Sequence, residues 1–389
     1  MGNLGLIAAT LIIAAFLLSA LLCGVVRQVA PRLGLVDKPG GRKAHRAPTP
    51  MGGGVGIWLT VVLILVAAGA VAWLGRPWLP DSLGPYLGGA WLRSGRLALL
   101  LGLSSLIMLM GLLDDRFALG WKIRLLVQFS LAAWFVLAGD QATFFQSNRW
   151  VGALVTIIWI VGLTNSFNFL DNMDGLAASV GLIAALLFVG AQVAVGSLFV
   201  PAVLLVLAGS LLGFLVHNRP PARLFMGDAG SNFLGFMLGT LTVEGTFTRE
   251  GFSPLAVLAP LLVMAVPLYD TFSVIMIRIR EGRSPFQPDR CHLSHRLVDR
   301  GLTPPLAVLT IDLITLAAGL GALLLHRVQQ PLEAVVILAQ TTCVLGIVAV
   351  LEAHSTRNER RHVPAPREED SQLPTNREGS LSTNASHAP

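Results

Sequence analysis

Eleven apolar runs, each long enough to cross a bilayer and most of them separated by short polar loops, dominate this 389-residue chain. They fall near 4–26, 53–75, 96–113, 121–139, 150–167, 175–195, 198–216, 232–248, 254–277, 305–325 and 332–351. A hydrocarbon core of ~30 Å asks for about 20 apolar residues per helical crossing. Within that core every backbone N–H and C=O needs an internal partner, and the runs are too uniformly apolar for the alternating strands of a barrel. The sequence therefore predicts an all-α polytopic membrane protein, a bundle of about eleven transmembrane helices. With 13% of its side chains charged, against roughly a quarter in a soluble protein, the chain is not a cytosolic globular enzyme.

The distribution of basic residues predicts sidedness. Of 28 Lys and Arg, 22 lie in the loops at 27–50, 114–124, 217–231 and 278–304 and in the tail, and six lie on the other side. Basic loops stay in the cytoplasm, so the N-terminus is placed outside and the C-terminus inside. The net charge of +6 thus sits at the membrane surface and implies no nucleic-acid partner. The first run lacks a basic leader and a small-residue cleavage pattern and reads as a retained span. Residues 1–351 form the membrane domain, and 352–389, rich in charged and small polar residues, read as a disordered cytoplasmic tail. Cys23, Cys291 and Cys343 show no metal spacing and no disulfide framework.

Acidic residues gather at the cytoplasmic helix ends within unusual local strings. Gly111-Leu112-Leu113-Asp114-Asp115-Arg116 ends the third run. Two adjacent carboxylates at a helix C-terminus oppose its dipole and repel each other, costs that a cation relieves; such oxygen-rich sites suit Mg²⁺. Lys122 and Arg124 follow, either as phosphate ligands or as interfacial anchors. The second string, Asn165 to Leu176, holds Asn168, Asp171, Asn172 and Asp174; its acids either cap the next helix or serve a site. The third, Phe225-Met226-Gly227-Asp228-Ala229-Gly230-Ser231-Asn232, combines an acid with glycines that permit close backbone approach before a helix N-terminus.

The last basic loop reads Arg290-Cys291-His292-Leu293-Ser294-His295-Arg296, a set of charge-assisted donors suited to a phosphorylated substrate. A zinc reading of His292 and His295 lacks two further ligands. The first loop adds Lys43, His45 and a glycine run at 52–54, serving either substrate binding or orientation and helix packing. Asp270 and Asp312 lie inside apolar runs, where acids are functional candidates or helix-to-helix cross-links.

Taken as an ordered set, these strings resemble the polyprenyl-phosphate N-acetylhexosamine-1-phosphate transferases, most closely the branch that acts on undecaprenyl phosphate with N-acetylglucosamine-1-phosphate. The motifs cover about 30–305. The resemblance implies a cytoplasmic-face active site in a bacterial inner membrane, with a UDP-sugar donor, a polyprenyl phosphate acceptor and UMP as product, at the start of a cell-envelope polysaccharide. It implies Mg²⁺, or Mn²⁺ in its place, held by Asn168 and Asp228, with Asp114 and Asp115 as catalytic residues poised for the lipid phosphate. Arg124 would support phosphate charge, and Arg290, His292 and His295 would close on the nucleotide sugar. Lys43, His45, Asp171 and Asp174 are counted with the substrate-binding residues, and a homodimer is compatible with the plan. The chain departs from the family at Ser294, which stands where a histidine is usual.

Three other readings compete. A peptidoglycan translocase acting on UDP-N-acetylmuramoyl-pentapeptide is the nearest, but its histidine loop differs. A CDP-alcohol phosphotransferase would share Asp171-x-x-Asp174-Gly175-x-x-Ala178, yet Ser179 replaces the Arg expected next. A secondary transporter would place its site near the bilayer midplane, whereas these acids lie at one face.

Overall fold

The computed structural model describes residues 2–37, 48–74, 89, 91–139, 148–245, 253–286 and 290–361. It is a helical bundle with a helix at each of the eleven apolar runs. In chain order these are α1 (Gly2–Val29), α2 (Gly53–Leu74), α3 (Ser94–Phe117), α4 (Trp121–Leu137), α5 (Arg149–Leu170), α6 (Leu176–Ala194), α7 (Phe199–Asn218) and α8 (Gly227–Glu244). There follow the short α9 (Ala259–Val263), α10 (Ala265–Arg280), α11 (Leu293–Asp299) in the last basic loop, α12 (Pro304–Gly319) and α13 (Pro331–Arg361).

Among the described residues, eight helical segments are long and apolar enough to cross a membrane, α12 being counted with the 3₁₀ turns that carry it on to Arg327. The segment Pro254–Val263 and α10 pass that test together but are bent by 60°, which makes up to nine. The remaining two runs fall short of the expected eleven for identifiable reasons. Helix α4 has only 17 residues. Helix α8 carries Asp228 in its first turn and ends on Glu244, yet residues 229–242 are all buried. A helix that meets protein on every side needs no lipid-facing surface, so α8 is the axis of the bundle and its polarity is sheltered.

Around that axis stand α2, α3 and α5, while α1 lies against α7. Glycines set the closest crossings. A Cβ on Gly54 of α2 would lie 2.1 Å from the backbone nitrogen of Gly230, and one on Gly111 of α3 would lie 2.2 Å from the carbonyl oxygen of Asp228. Only a bare backbone fits at either place. Gly111 is one turn before Asp114 and Asp115, so this contact delivers both carboxylates to the start of α8. Gly111→Val is therefore expected to lower stability by about 1–3 kcal/mol and to abolish the alignment of the acids. Thermal unfolding in detergent, read beside turnover, checks both effects; a variant with unchanged turnover would show that the contact does not set the site.

A two-stranded antiparallel ribbon, β1 (Val36–Asp37) with β2 (Thr49–Pro50), closes the ends of the first basic loop. The end of β2 and the start of α2 are laced to the third string by Phe225 N–H to Pro50 O, Gly53 N–H to Phe225 O and Gly54 N–H to Met226 O, each 2.9 Å. Helix α13 runs past the last apolar run to Arg361; residues 362–389 lie outside the described residues.

Candidate active site

The end of α3, the start of α4, the end of α5 and the start of α8 meet at one end of the bundle, and each brings polar side chains from one of the strings. Arg124 stands in the first turn of α4, and its Nη1 donates to Asp114 Oδ2 at 2.8 Å and to Asp228 Oδ2 at 3.4 Å. Asn168, near the end of α5, donates from Nδ2 to Asp228 Oδ1 at 2.6 Å and to Ser231 Oγ at 3.0 Å. One guanidinium and one amide thus join carboxylates from two helices far apart in sequence.

Asp115 is held differently. Its Oδ1 accepts the backbone N–H of Asp228 at 2.8 Å and its Oδ2 that of Ala229 at 3.1 Å. The N-cap residue of α8, Met226, makes no side-chain cap, so Asp115 supplies one from another helix and places its charge at the positive end of the α8 dipole. The adjacent carboxylates at the end of α3 therefore have separate partners, a guanidinium for Asp114 and helix amides for Asp115.

Asp171 follows α5 and accepts the N–H of Gly227; burial first, then the charges of Asp115 and Asp174, push its carboxyl up to about 7. Asp174 accepts the N–H of Ala222 at 2.8 Å. Neither acid caps α6, whose N-cap is Gly175 without a side-chain bond, so the capping alternative for this string does not hold. A carboxyl whose folded pKa exceeds its unfolded value holds its proton more tightly in the native state. In metal-free protein, stability should thus fall as pH rises from about 4 to about 7 and then level, and Asp171→Asn should flatten that part of the profile. Melting temperature against pH in chelator checks the sign; a rise over the same interval in wild type alone would remove Asp171 as its cause.

The histidine loop adjoins the second string. His292 is the N-cap of α11, is buried, and packs edge-on to Phe169 with centroids 5.4 Å apart. Ser294 Oγ donates to Asn172 Oδ1 at 2.5 Å, so the residue that departs from the family pattern ties the two loops together. His295 is half-buried, and burial, followed by the charges of His292 and Arg290, pushes its pKa down and favours the neutral ring. Arg290 is exposed at the edge of the loop. Arg296, which the sequence reading grouped with the phosphate donors, instead bonds Glu352 of α13 at 3.0 Å and Ser273 of α10 at 2.8 Å. Trp121 stacks on Phe286 with centroids 4.1 Å apart, joining the start of α4 to the same loop.

The structure thus brings Asp114, Asp115, Arg124, Asn168, Asp171 and Asp228 into one cluster, with Asp174 beside it and His292 and His295 on the neighbouring loop. Lys43 and His45 lie outside the described residues. Among the described residues no three His, Cys, Asp or Glu side chains converge as a metal cage, which gives the zinc reading no support. One support is not legible in the sequence strings. Asn165 Nδ2 donates to Gln128 Oε1 at 2.6 Å, Gln128 Nε2 to Asn232 Oδ1 at 3.0 Å, and Asn232 Nδ2 to the Asp228 carbonyl at 2.8 Å, a largely sheltered ladder beside the cluster. Its signal was Gln128 at i+4 from Arg124 in an apolar run, one face of one helix. Asp270, a candidate from its place inside an apolar run, meets His292 through its carboxylate.

The profile of glycosyl transferase family 4 matches residues 97–246, which span the acid strings from α3 to α8. A Bacillus subtilis protein described as a probable undecaprenyl-phosphate N-acetylglucosaminyl 1-phosphate transferase is 31% identical over 326 residues, 81% of this chain and 85% of its own length. The decaprenyl-phosphate N-acetylglucosaminephosphotransferase of Mycobacterium tuberculosis is 35% identical over 329 residues, 77% of this chain and 78% of its own. An Escherichia coli O157:H7 undecaprenyl-phosphate alpha-N-acetylglucosaminyl 1-phosphate transferase is 28% identical over 325 residues, 80% of this chain and 81% of its own.

Proposed function

The chain belongs to glycosyl transferase family 4, among the polyprenyl-phosphate N-acetylhexosamine-1-phosphate transferases, and on that premise we propose that it moves N-acetylglucosamine-1-phosphate from a UDP-sugar to undecaprenyl phosphate and releases UMP. The observation that carries the reading is the joining of Asp114, Arg124, Asp228 and Asn168 at one end of an apolar bundle. There a lipid phosphate can reach polar groups while its tail stays in the bilayer. The distribution of Lys and Arg supports a cytoplasmic placement of that end, where a soluble nucleotide sugar is available.

An oxygen of the lipid phosphate attacks the sugar-bearing phosphorus, and the bond from that phosphorus to the oxygen shared with UMP breaks, the electron pair leaving with UMP. A phosphate monoester is largely dianionic at neutral pH, its second pKa being about 6, so the attacking oxygen needs no strong base. The work of the site is to bring anions together and hold them in line. Arg124, anchored by Asp114, offers its remaining donors to phosphate oxygens. Asp115 fixes the first turn of α8 and with it the position of Asp228. The histidine loop, tied to the second string by Ser294 and Asn172, takes the uridine and sugar in this reading.

Asp228 and Asn168 are the side chains proposed to hold Mg²⁺. They already touch, and a half-turn of the Asn168 amide exchanges its nitrogen for its oxygen, giving a carboxylate and an amide oxygen side by side. That donor set suits Mg²⁺, which takes one or two carboxylates and keeps room for phosphates and water. The ion would neutralise the pyrophosphate charge.

The test is purified protein with polyprenyl phosphate and a panel of radiolabelled UDP-sugars, with products identified. UDP-N-acetylglucosamine should give a lipid-linked pyrophosphoryl sugar and UMP, EDTA should stop the reaction, and Mg²⁺ should restore it. Release of UDP would mean that the sugar–phosphate bond is broken instead. Exclusive use of UDP-N-acetylmuramoyl-pentapeptide would reassign the donor.

A further inference from the structure

Asp270 stands on α10, six residues beyond the 60° break, and is 1% exposed. A carboxylate inside an apolar span persists only with dedicated partners. Its Oδ1 accepts the backbone N–H of Leu293 at 2.6 Å, and its Oδ2 lies 2.9 Å from Nδ1 of His292. The guanidinium of Arg296, 4.0 Å from Oδ1, adds a positive charge on the same side. A helix cross-link would be complete with the Leu293 bond alone; the second oxygen is spent on the ring.

We propose that Asp270 is a positioning residue for His292, fixing the ring so that Nδ1 carries its proton toward the carboxylate and Nε2 is presented to the nucleotide-sugar donor. An ionised carboxylate only accepts hydrogen bonds, so the ring nitrogen facing Oδ2 is the protonated one. Among the described residues Nε2 has no hydrogen-bond partner. In the neutral ring it is an acceptor, suited to a hydroxyl or N–H of the sugar or uridine and unsuited to a phosphate oxygen. The edge of Phe169 and the buried setting restrict rotation, so the tautomer and the ring plane are set together. This inference rests on the reading of His292 as a donor-side residue.

The experiment is a double-mutant cycle of Asp270→Asn and His292→Ala, with UDP-N-acetylglucosamine and polyprenyl phosphate varied independently. Asn keeps an oxygen for the Leu293 N–H but sets an NH₂ against the ring, forcing the other tautomer. Asp270→Asn should raise KM for the donor or lower kcat/KM for it by about 10–100-fold, with KM for the lipid nearly unchanged. The double variant should be no worse than His292→Ala alone. Multiplicative losses would show that Asp270 acts apart from His292, as scaffold, and would overturn the proposal while leaving the transferase reading intact. A second measurement does not depend on any variant's activity: ¹⁵N-histidine NMR of wild type, with His292 assigned by comparison with His292→Ala. Protonated Nδ1 is expected; a neutral ring protonated at Nε2 alone overturns the proposal, even if the wild type proves to use a different donor.

Discussion

Asp228→Asn is expected to lower kcat by about 10²–10³-fold, the usual cost of removing one group that neutralises or positions transferring charge, while the protein folds and inserts normally. Asn has the same shape, and its oxygen can still accept from Asn168 Nδ2. The bonds that hold this turn use the backbone N–H groups of 228 and 229, which the exchange leaves alone. What disappears is one negative charge, together with the attraction to Arg124, and an NH₂ now faces that guanidinium. The measurement is turnover at saturating Mg²⁺ beside a melting curve. Near-normal turnover would take Asp228 out of the proposed metal site; a collapsed melting temperature would show that its charge is structural.

Arg124→Met should be the more damaging change, because it strips a partner from two carboxylates at once. The Asp114 side chain is 5% exposed, and Arg124 holds it at 2.8 Å. Breaking a buried pair costs about 3–5 kcal/mol; since the Arg124 side chain is 31% exposed, water recovers part of this and a loss of about 2–3 kcal/mol is expected. Turnover should fall by about 10³-fold, since the groups left behind repel the anions they are to receive. Arg124→Lys should restore stability more than activity, as one ammonium cannot serve Asp114, Asp228 and a phosphate together. Full activity of the Lys variant would argue that only net charge matters there.

The bundle was legible because its signal is long and redundant: a crossing is encoded by some twenty residues, and single exceptions do not erase it. Helix α8 shows the limit. Its Asp228, Ser231 and Asn232 make it too polar for a span by hydropathy, yet it is the most enclosed helix, because enclosure depends on its neighbours. The site was legible as strings and not as pairings. Asp114 and Asp115 look equivalent in sequence, and nothing local says that one meets a guanidinium on α4 and the other the amides of α8; that difference is decided by the crossing at Gly111. Asp270 and His292 are 22 residues apart, and a loop the sequence cannot trace lies between them. Ser294 was visible as a departure, but its bond to Asn172 was not, because it joins two loops only after α5 and α10 have packed.

The cap that Asp115 gives to α8 grips main chain and ignores side chains. Frame and reagent are therefore separable here: the side chain at 228 can be exchanged without loosening the turn that carries it. An Asp228 variant should accordingly keep the architecture of this corner intact while turnover is slowed, so that the frame can be imaged apart from its chemistry.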